Sequence, residues 1–267
     1  MTKILPRILI SALLVSLMAG CSSLGNDKPD DTLGWSAEKL FSEAKSEQAG
    51  RNFEASNKLL EKLEARFPYG RFASQAQLEM AFNYYKDQEP ALALAAIDRF
   101  IKQNPTHPSL DYAMYLKGLV TFNESQGFMS NVSKQDMSER DPKAAKESFN
   151  AFRDLTLRFP ESKYSKDATI RMGYLIGAMA NYELHVGHYY FQRGAFLAAA
   201  NRGRALLDNY ANTKQVEGAL GLMIQSYDRL GMKDLSADTK RVLLKNFPNS
   251  TADKETISTD PYWWAPI

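Results

Sequence analysis

From Trp35 to about residue 250, apolar residues recur at every third or fourth position with polar residues between them. Such stripes predict amphipathic helices, each burying one face. The same stop signal closes the helices five times: Arg66-Phe67-Pro68-Tyr69-Gly70, Gln103-Asn104-Pro105-Thr106-His107, Arg158-Phe159-Pro160-Glu161-Ser162, Asn209-Tyr210-Ala211-Asn212-Thr213 and Asn246-Phe247-Pro248-Asn249-Ser250. Four of the five place Pro at the same point. Proline lacks an amide proton and pushes the preceding residue out of helical backbone, so each marks a helix end. Successive stops are 37, 55, 51 and 37 residues apart.

Two of those intervals approach the tetratricopeptide (TPR) period of about 34 residues, and two look like that period with an insertion. The second unit shows the pattern best, with Ala81 and Tyr84 on one helix and Ala93, Ile97 and Pro105 following at TPR intervals. Small residues let two antiparallel helices approach, while Tyr84, Ile97 and Phe100 fill the space beside them. Weaker copies occur at Ala55, Leu59 and Leu63; at Gly118, Ala145 and Phe149; at Ala199 and Leu206; and at Tyr227, Gly231 and Ala237. The expected fold is all-α, a TPR solenoid of about five helix pairs over 35–70, 71–108, 109–162, 163–213 and 214–250. One insertion, 123–142, reads as a long polar loop in the third unit. The other, Asp167 to Arg193, keeps helical patterning and predicts an extended helix ended by Gly194. Periodicity is lost in an aromatic tail, 251–267, which contains Trp263-Trp264.

The N-terminus predicts export. Lys3 and Arg7 precede Ile8–Met18, an apolar run of eleven residues. It suits a signal peptide and is shorter than the about 20 residues that a membrane-spanning helix needs. Met18-Ala19-Gly20-Cys21 resembles the lipobox of bacterial lipoproteins, with Met where Leu is commoner. That resemblance implies removal of 1–20, a diacylglycerol on the sulfur of Cys21, and acylation of its new amine. Ser22 in place of Asp favours outer-membrane sorting. Cys21 is the single cysteine, so no disulfide is expected in the mature domain. Residues 22–34 are polar, with Gly, Pro and an acidic run, and read as a flexible tether in which Asp30 and Asp31 are solvated.

Charge and motifs narrow the chemistry. The chain has 33 basic and 31 acidic residues, and two of the basic ones, Lys3 and Arg7, lie in the leader. Near neutrality speaks against nucleic acid as a partner. No phosphate loop, nucleophile elbow or dinucleotide fingerprint occurs, and no catalytic residue is assigned. His185 and His188 share a helix face, but no thiolate accompanies them and the Glu of the His-Glu-x-x-His zinc proteases is missing. No metal or cofactor is therefore expected beyond the lipid. Tyr84, Tyr112, Tyr115 and Phe149 fall at repeat positions and are read as packing. Tyr189-Tyr190-Phe191 cannot all face one core, and Trp263-Trp264 is either exposed apolar surface or part of a cap on the last repeat.

A more specific resemblance lies in Ala95-Ala96-Ile97-Asp98-Arg99-Phe100-Ile101, Asn104-Pro105-Thr106-His107-Pro108, Asp111-Tyr112 and Met114-Tyr115 through Gly118-Leu119. It continues in Arg140-Asp141-Pro142, Asp167-Ala168-Thr169, Tyr189-Tyr190, Arg193-Gly194-Ala195 and Asn201-Arg202. These segments resemble the BamD family, the TPR lipoproteins of the outer-membrane β-barrel assembly machinery, from the lipobox to about residue 250. The resemblance implies a periplasmic, outer-membrane-anchored scaffold that binds a BamA-type barrel subunit, other Bam lipoproteins and unfolded barrel clients. It places client binding at the N-terminal end, over Phe67, Pro68, Tyr69, Gly70 and Phe72, and BamA docking at the C-terminal end, around Asn201 and Arg202. The rival expectations are a pilotin-type TPR lipoprotein that escorts secretin subunits, a zinc hydrolase built on His185 and His188, and a bridge from membrane to cell wall.

Overall fold

The computed structural model describes residues 30–126, 142–255 and 257. Ten helices occur among them: α1 (Ala37–Ala49), α2 (Phe53–Arg66), α3 (Arg71–Lys86), α4 (Pro90–Gln103), α5 (Leu110–Gln126), α6 (Lys143–Arg158), α7 (Ser165–Gln192), α8 (Phe196–Asn209), α9 (Val216–Arg229) and α10 (Lys233–Asn246). Each helix packs chiefly on its neighbours in the chain. The first helices of successive pairs also touch, α1 with α3, α3 with α5 and α7 with α9. The result is a one-dimensional stack of helix pairs, the TPR-like architecture that the spacing of stop signals predicts. No described helix is long and apolar enough to cross a membrane.

The stop signals become one repeated piece of geometry. Phe67, Asn104, Phe159, Tyr210 and Phe247 each leave helical backbone, with φ between −127° and −135°. Each amide donates to the carbonyl four residues back, on Leu63, Phe100, Leu155, Leu206 and Leu243. Those five side chains are fully buried. Burying one such side chain contributes about 2–3 kcal/mol, so the helix end is fixed by the core beneath it as well as by proline.

The tight turns inside the pairs are equally uniform. Arg51, Gln88, Gly194 and Gly231 take left-handed backbone with φ of 62°, 63°, 75° and 71°. The following amides, on Asn52, Glu89, Ala195 and Met232, reach back to the carbonyls of Glu47, Tyr84, Tyr190 and Tyr227 at 2.9 Å. This is the Schellman closure, which satisfies carbonyls left over at a helix end. Glycine adopts the conformation freely, whereas Arg51 and Gln88 hold it at a steric cost.

Close packing within and between pairs depends on small residues. Ala81, Ala93, Ala199 and Ala219 are fully buried. A Cβ added to Gly187 would lie 2.5 Å from a Leu222 methyl, so α7 and α9 approach almost backbone to side chain there. The first three helices are also joined by a polar network. Asn83 Nδ2 donates to Ser56 Oγ at 2.9 Å and to Asn57 Oδ1 at 2.8 Å, while its Oδ1 accepts from Gln48 Nε2 at 2.7 Å. Ser56 in turn donates to the Ala44 carbonyl at 2.8 Å.

Some expectations shift by a residue or a turn. The buried stripe of α2 is Phe53, Ser56, Asn57, Leu60 and Leu63, so Ala55 and Leu59 sit at its margin. In α10 the buried residues are Ser236, Thr239 and Leu243, and Ala237 is exposed. In both helices the core admits polar side chains that find hydrogen-bond partners, which a hydropathy pattern does not reveal. The first residues of the expected 123–142 loop continue α5 to Gln126, and 127–141 lie outside the described residues. The extended helix of the fourth unit is α7, 28 residues long.

Candidate functional site

The corner between α2 and α3 carries the residues expected to receive clients. It forms because Phe67 ends α2 with its amide on Leu63, and Gly70 then caps α3 from extended backbone, with φ −79° and ψ 158°. Phe67 and Phe72 turn inward and pack on the cluster of Leu40, Ala44, Leu60, Leu63, Ala76 and Met80. Phe72 stacks on Phe41 with ring centroids 5.1 Å apart, and the Arg71 guanidinium lies over its ring at 4.5 Å. Between the two anchored rings, Pro68 and Gly70 are exposed and Tyr69 is wholly exposed. The five residues thus form one corner with two roles: Phe67 and Phe72 fix it, and Tyr69 is presented.

At the other end, Asn201 and Arg202 lie on α8. Asn201 is exposed. Arg202 is half-buried, its Nη1 donating to Glu183 Oε2 on α7 at 3.1 Å and its guanidinium lying 5.9 Å from the Tyr190 ring. The bond to Glu183 holds the guanidinium pKa above its usual value despite burial. Exposed apolar side chains surround this end, with Leu197 on α8 and Leu235, Val242 and Leu244 on α10.

The histidine pair is on α7. His185 is exposed, while His188 is half-buried in a cleft with Leu184, Gly218, Leu222, Gln225, Glu255 and Ile257. Burial, and then the neighbouring His185, push the His188 pKa down against the pull of Glu255. Among the described residues no group of three His, Cys, Asp or Glu side chains is placed to hold a metal ion. Of the repeat-position tyrosines, Tyr84 packs on the first cores from α3, whereas Tyr112 and Tyr115 join the packing of α5 to α7. Tyr115 stacks on Tyr164 at 4.7 Å, and its hydroxyl donates to Asp167 Oδ2 at 2.7 Å, an oxygen that also accepts from Arg171 Nε at 2.5 Å. Burial opposes the Asp167 charge, but those two donors outweigh it and hold its pKa low.

Cys21 and Trp263-Trp264 lie outside the described residues. Two features go beyond the sequence pattern, one unexpected and one left open between an exposed tail and a cap on the last repeat. One corrects the reading of Asp30 as a solvated tether residue. Its carboxylate accepts from Lys62 Nζ at 2.6 Å, from Arg66, and from the Thr32 amide and hydroxyl. Led by the Lys62 bond, these donors hold its pKa well below the usual carboxylate range. The other is the start of the tail, which folds back on α9 and α10. The Ala252 carbonyl would lie 2.4 Å from a Cβ on Gly221, Gln225 Nε2 donates to the Ala252 and Glu255 carbonyls, and Lys240 pairs with Asp253 at 2.7 Å. Lys62 lies 32 residues from Asp30, and Gln225 lies 30 residues from Glu255, with no local pattern to betray them.

Comparison with known proteins gives consistent matches. A family model, YfiO, described as an outer membrane lipoprotein, matches residues 35–254. The chain is 46% identical over 261 residues to the outer membrane protein assembly factor BamD of Neisseria meningitidis serogroup B, covering 97% of this chain and 98% of that one. It is 34% identical over 234 residues to BamD of Vibrio cholerae, covering 88% and 95%. With BamD of Xylella fastidiosa it shares 33% identity over 246 residues, covering 91% and 84%.

Proposed function

The chain belongs to the BamD (YfiO) family of outer membrane lipoproteins, and we propose that it serves there as a binding scaffold rather than a catalyst. It is an outer-membrane lipoprotein with a role in outer-membrane protein assembly. The finer assignments are our reading. Cys21 carries the lipid, and no other cofactor is needed. The α2–α3 corner receives unfolded barrel proteins by their C-terminal segments. The α8 surface around Asn201 and Arg202 docks on a BamA-type barrel subunit, and other lipoproteins of the machinery gather at the same end.

The observation that carries this reading is the corner itself. Tyr69 is held fully exposed between two partly buried phenylalanines that pack on the first core, at the end of a stack whose successive helices offer an extended peptide many modest contacts. Work of this kind needs no chemical step, since binding alone can shift the conformational populations of a partner. The test is a photo-crosslinking amino acid at position 69 in cells making a barrel protein. A crosslink to the newly exported barrel, lost when its C-terminal segment is deleted, is the expected result. A crosslink that survives the deletion, or none, would overturn the client assignment.

A further inference from the structure

The first described residues do not run straight into α1. They fold back along α2, and they do so through a convergent set of bonds. Lys62 and Arg66 are four apart on α2, hence on one face, and both reach the Asp30 carboxylate. Asp30 also accepts from the Thr32 amide at 3.1 Å and hydroxyl at 2.7 Å, and Arg66 Nη1 donates to the Thr32 carbonyl at 2.6 Å. Thr32 is buried, and Trp35 packs on the first core cluster with Lys39 over its ring at 4.3 Å. An isolated exposed ion pair contributes little. Here one part-buried carboxylate gathers two cations and two local donors, and a carbonyl two residues on takes a second bond from the same arginine.

This geometry matters because of where the chain is tied at its other end. Nine residue steps separate Cys21 from Asp30, and fifteen separate it from Ser36, the N-cap of α1. At full extension those steps span at most about 30 Å and about 50 Å respectively. The bonds at Asp30, together with the buried Thr32 and the packed Trp35 behind it, therefore shorten the greatest reach of the lipid leash by about 20 Å. They also fix where the leash leaves the solenoid, beside Arg66, at the end of α2 and just before Tyr69.

We propose that Asp30, Lys62 and Arg66 form a latch that holds the α2–α3 corner close to the lipid surface, so that the solenoid meets the membrane at its N-terminal edge. The proposal rests on the lipid anchor at Cys21 and adds to it an orientation. The receiving corner then waits next to the bilayer, while the α8–α10 end extends away from it along the stack.

The test uses the full lipidated protein in vesicles with an energy acceptor on a fraction of the lipid headgroups. A fluorophore is placed on Ala65→Cys, an exposed site near the corner, or on Asp234→Cys, an exposed site on α10. Strong transfer from position 65 and weak transfer from 234 are expected. Asp30→Ala should lose most of the transfer from 65, with helicity unchanged because Asp30 lies outside every helix. Deleting 23–28 from that variant returns the leash to nine steps before Ser36 and should restore the transfer. Equal transfer from 65 with and without Asp30, or no rescue by the deletion, overturns the latch. Protein that does not partition into vesicles, with an unmodified Cys21 peptide by mass, overturns the anchor as well and is distinguishable from failure of the latch alone.

Discussion

The α-carbon of Gly118 on α5 lies so close to the ring of Phe152 on α6 that an added Cβ would sit 2.3 Å from Cε1. The ring cannot easily retreat. It is fully buried, with Tyr115 at 6.0 Å and Phe122 at 6.4 Å between ring centroids.

Gly118→Ala should therefore destabilise the domain by about 1–3 kcal/mol, despite the better helix propensity of alanine. Gly173 on α7 has nothing within 4 Å of its Cβ position and serves as the control. Gly173→Ala should stabilise by about 0.5–1 kcal/mol. Opposite shifts of the melting temperature would establish the contact; a drop for both would mean that glycine is needed for another reason.

The turns make a second pair. Gln88 and Gly194 occupy the same left-handed position in different repeats, with φ of 63° and 75°. Gln88→Gly should raise stability, and Gly194→Ala should lower it by about 1 kcal/mol, because only glycine reaches that backbone region without steric cost. Thermal denaturation reads both. Equal effects in sign would show that the neighbouring contacts, and not φ, decide.

Asn83 offers a third. Its amide is fully used by Gln48, Ser56 and Asn57 within the first core. Asn83→Leu leaves those groups short of partners in a buried place and should cost about 1–3 kcal/mol, although leucine is the more apolar side chain. Urea denaturation with an unchanged slope would report the loss. A gain in stability would show that the network is dispensable.

Acid should loosen the C-terminal end through His188. Its folded pKa is depressed, mainly by burial and next by His185, so the unfolded chain binds a proton first as pH falls. Stability is then complete above the ordinary histidine pKa of about 6.5 and declines as pH falls from there toward the lowered folded value. His188→Gln should flatten denaturation midpoints measured between about pH 7 and pH 5. An unchanged slope would assign the pH dependence to other groups.

The fold is more legible in the sequence than the site, for physical reasons. Phe-Pro at a helix stop is a local signal, because proline acts on its own and the preceding residue, and four of the five stops carry a proline. Tyr210 makes the same stop before Ala211, since the buried Leu206 beneath it suffices. Ser56, Asn83 and Thr239 are invisible as core, because their burial depends on partners on other helices or on a backbone carbonyl one turn away. Asp30 escapes the pattern for the same reason: its stretch is polar and Pro-containing, and only the fold brings Lys62 and Arg66 to it. Arg202 resembles a docking residue in sequence, but part of its capacity is spent on Glu183. Arg202→Glu would set two carboxylates against each other, so Arg202→Met is the cleaner probe of docking.

The central claim is that this chain works by holding a barrel-assembly partner at the outer membrane. It is tested most directly by purifying the tagged, lipidated protein from its own membranes in mild detergent and identifying what accompanies it. A large barrel protein with periplasmic repeats, recovered near stoichiometrically and reduced by Arg202→Met in a protein that remains helical, is the predicted result. A secretin in its place, or no membrane partner at all, would contradict the account.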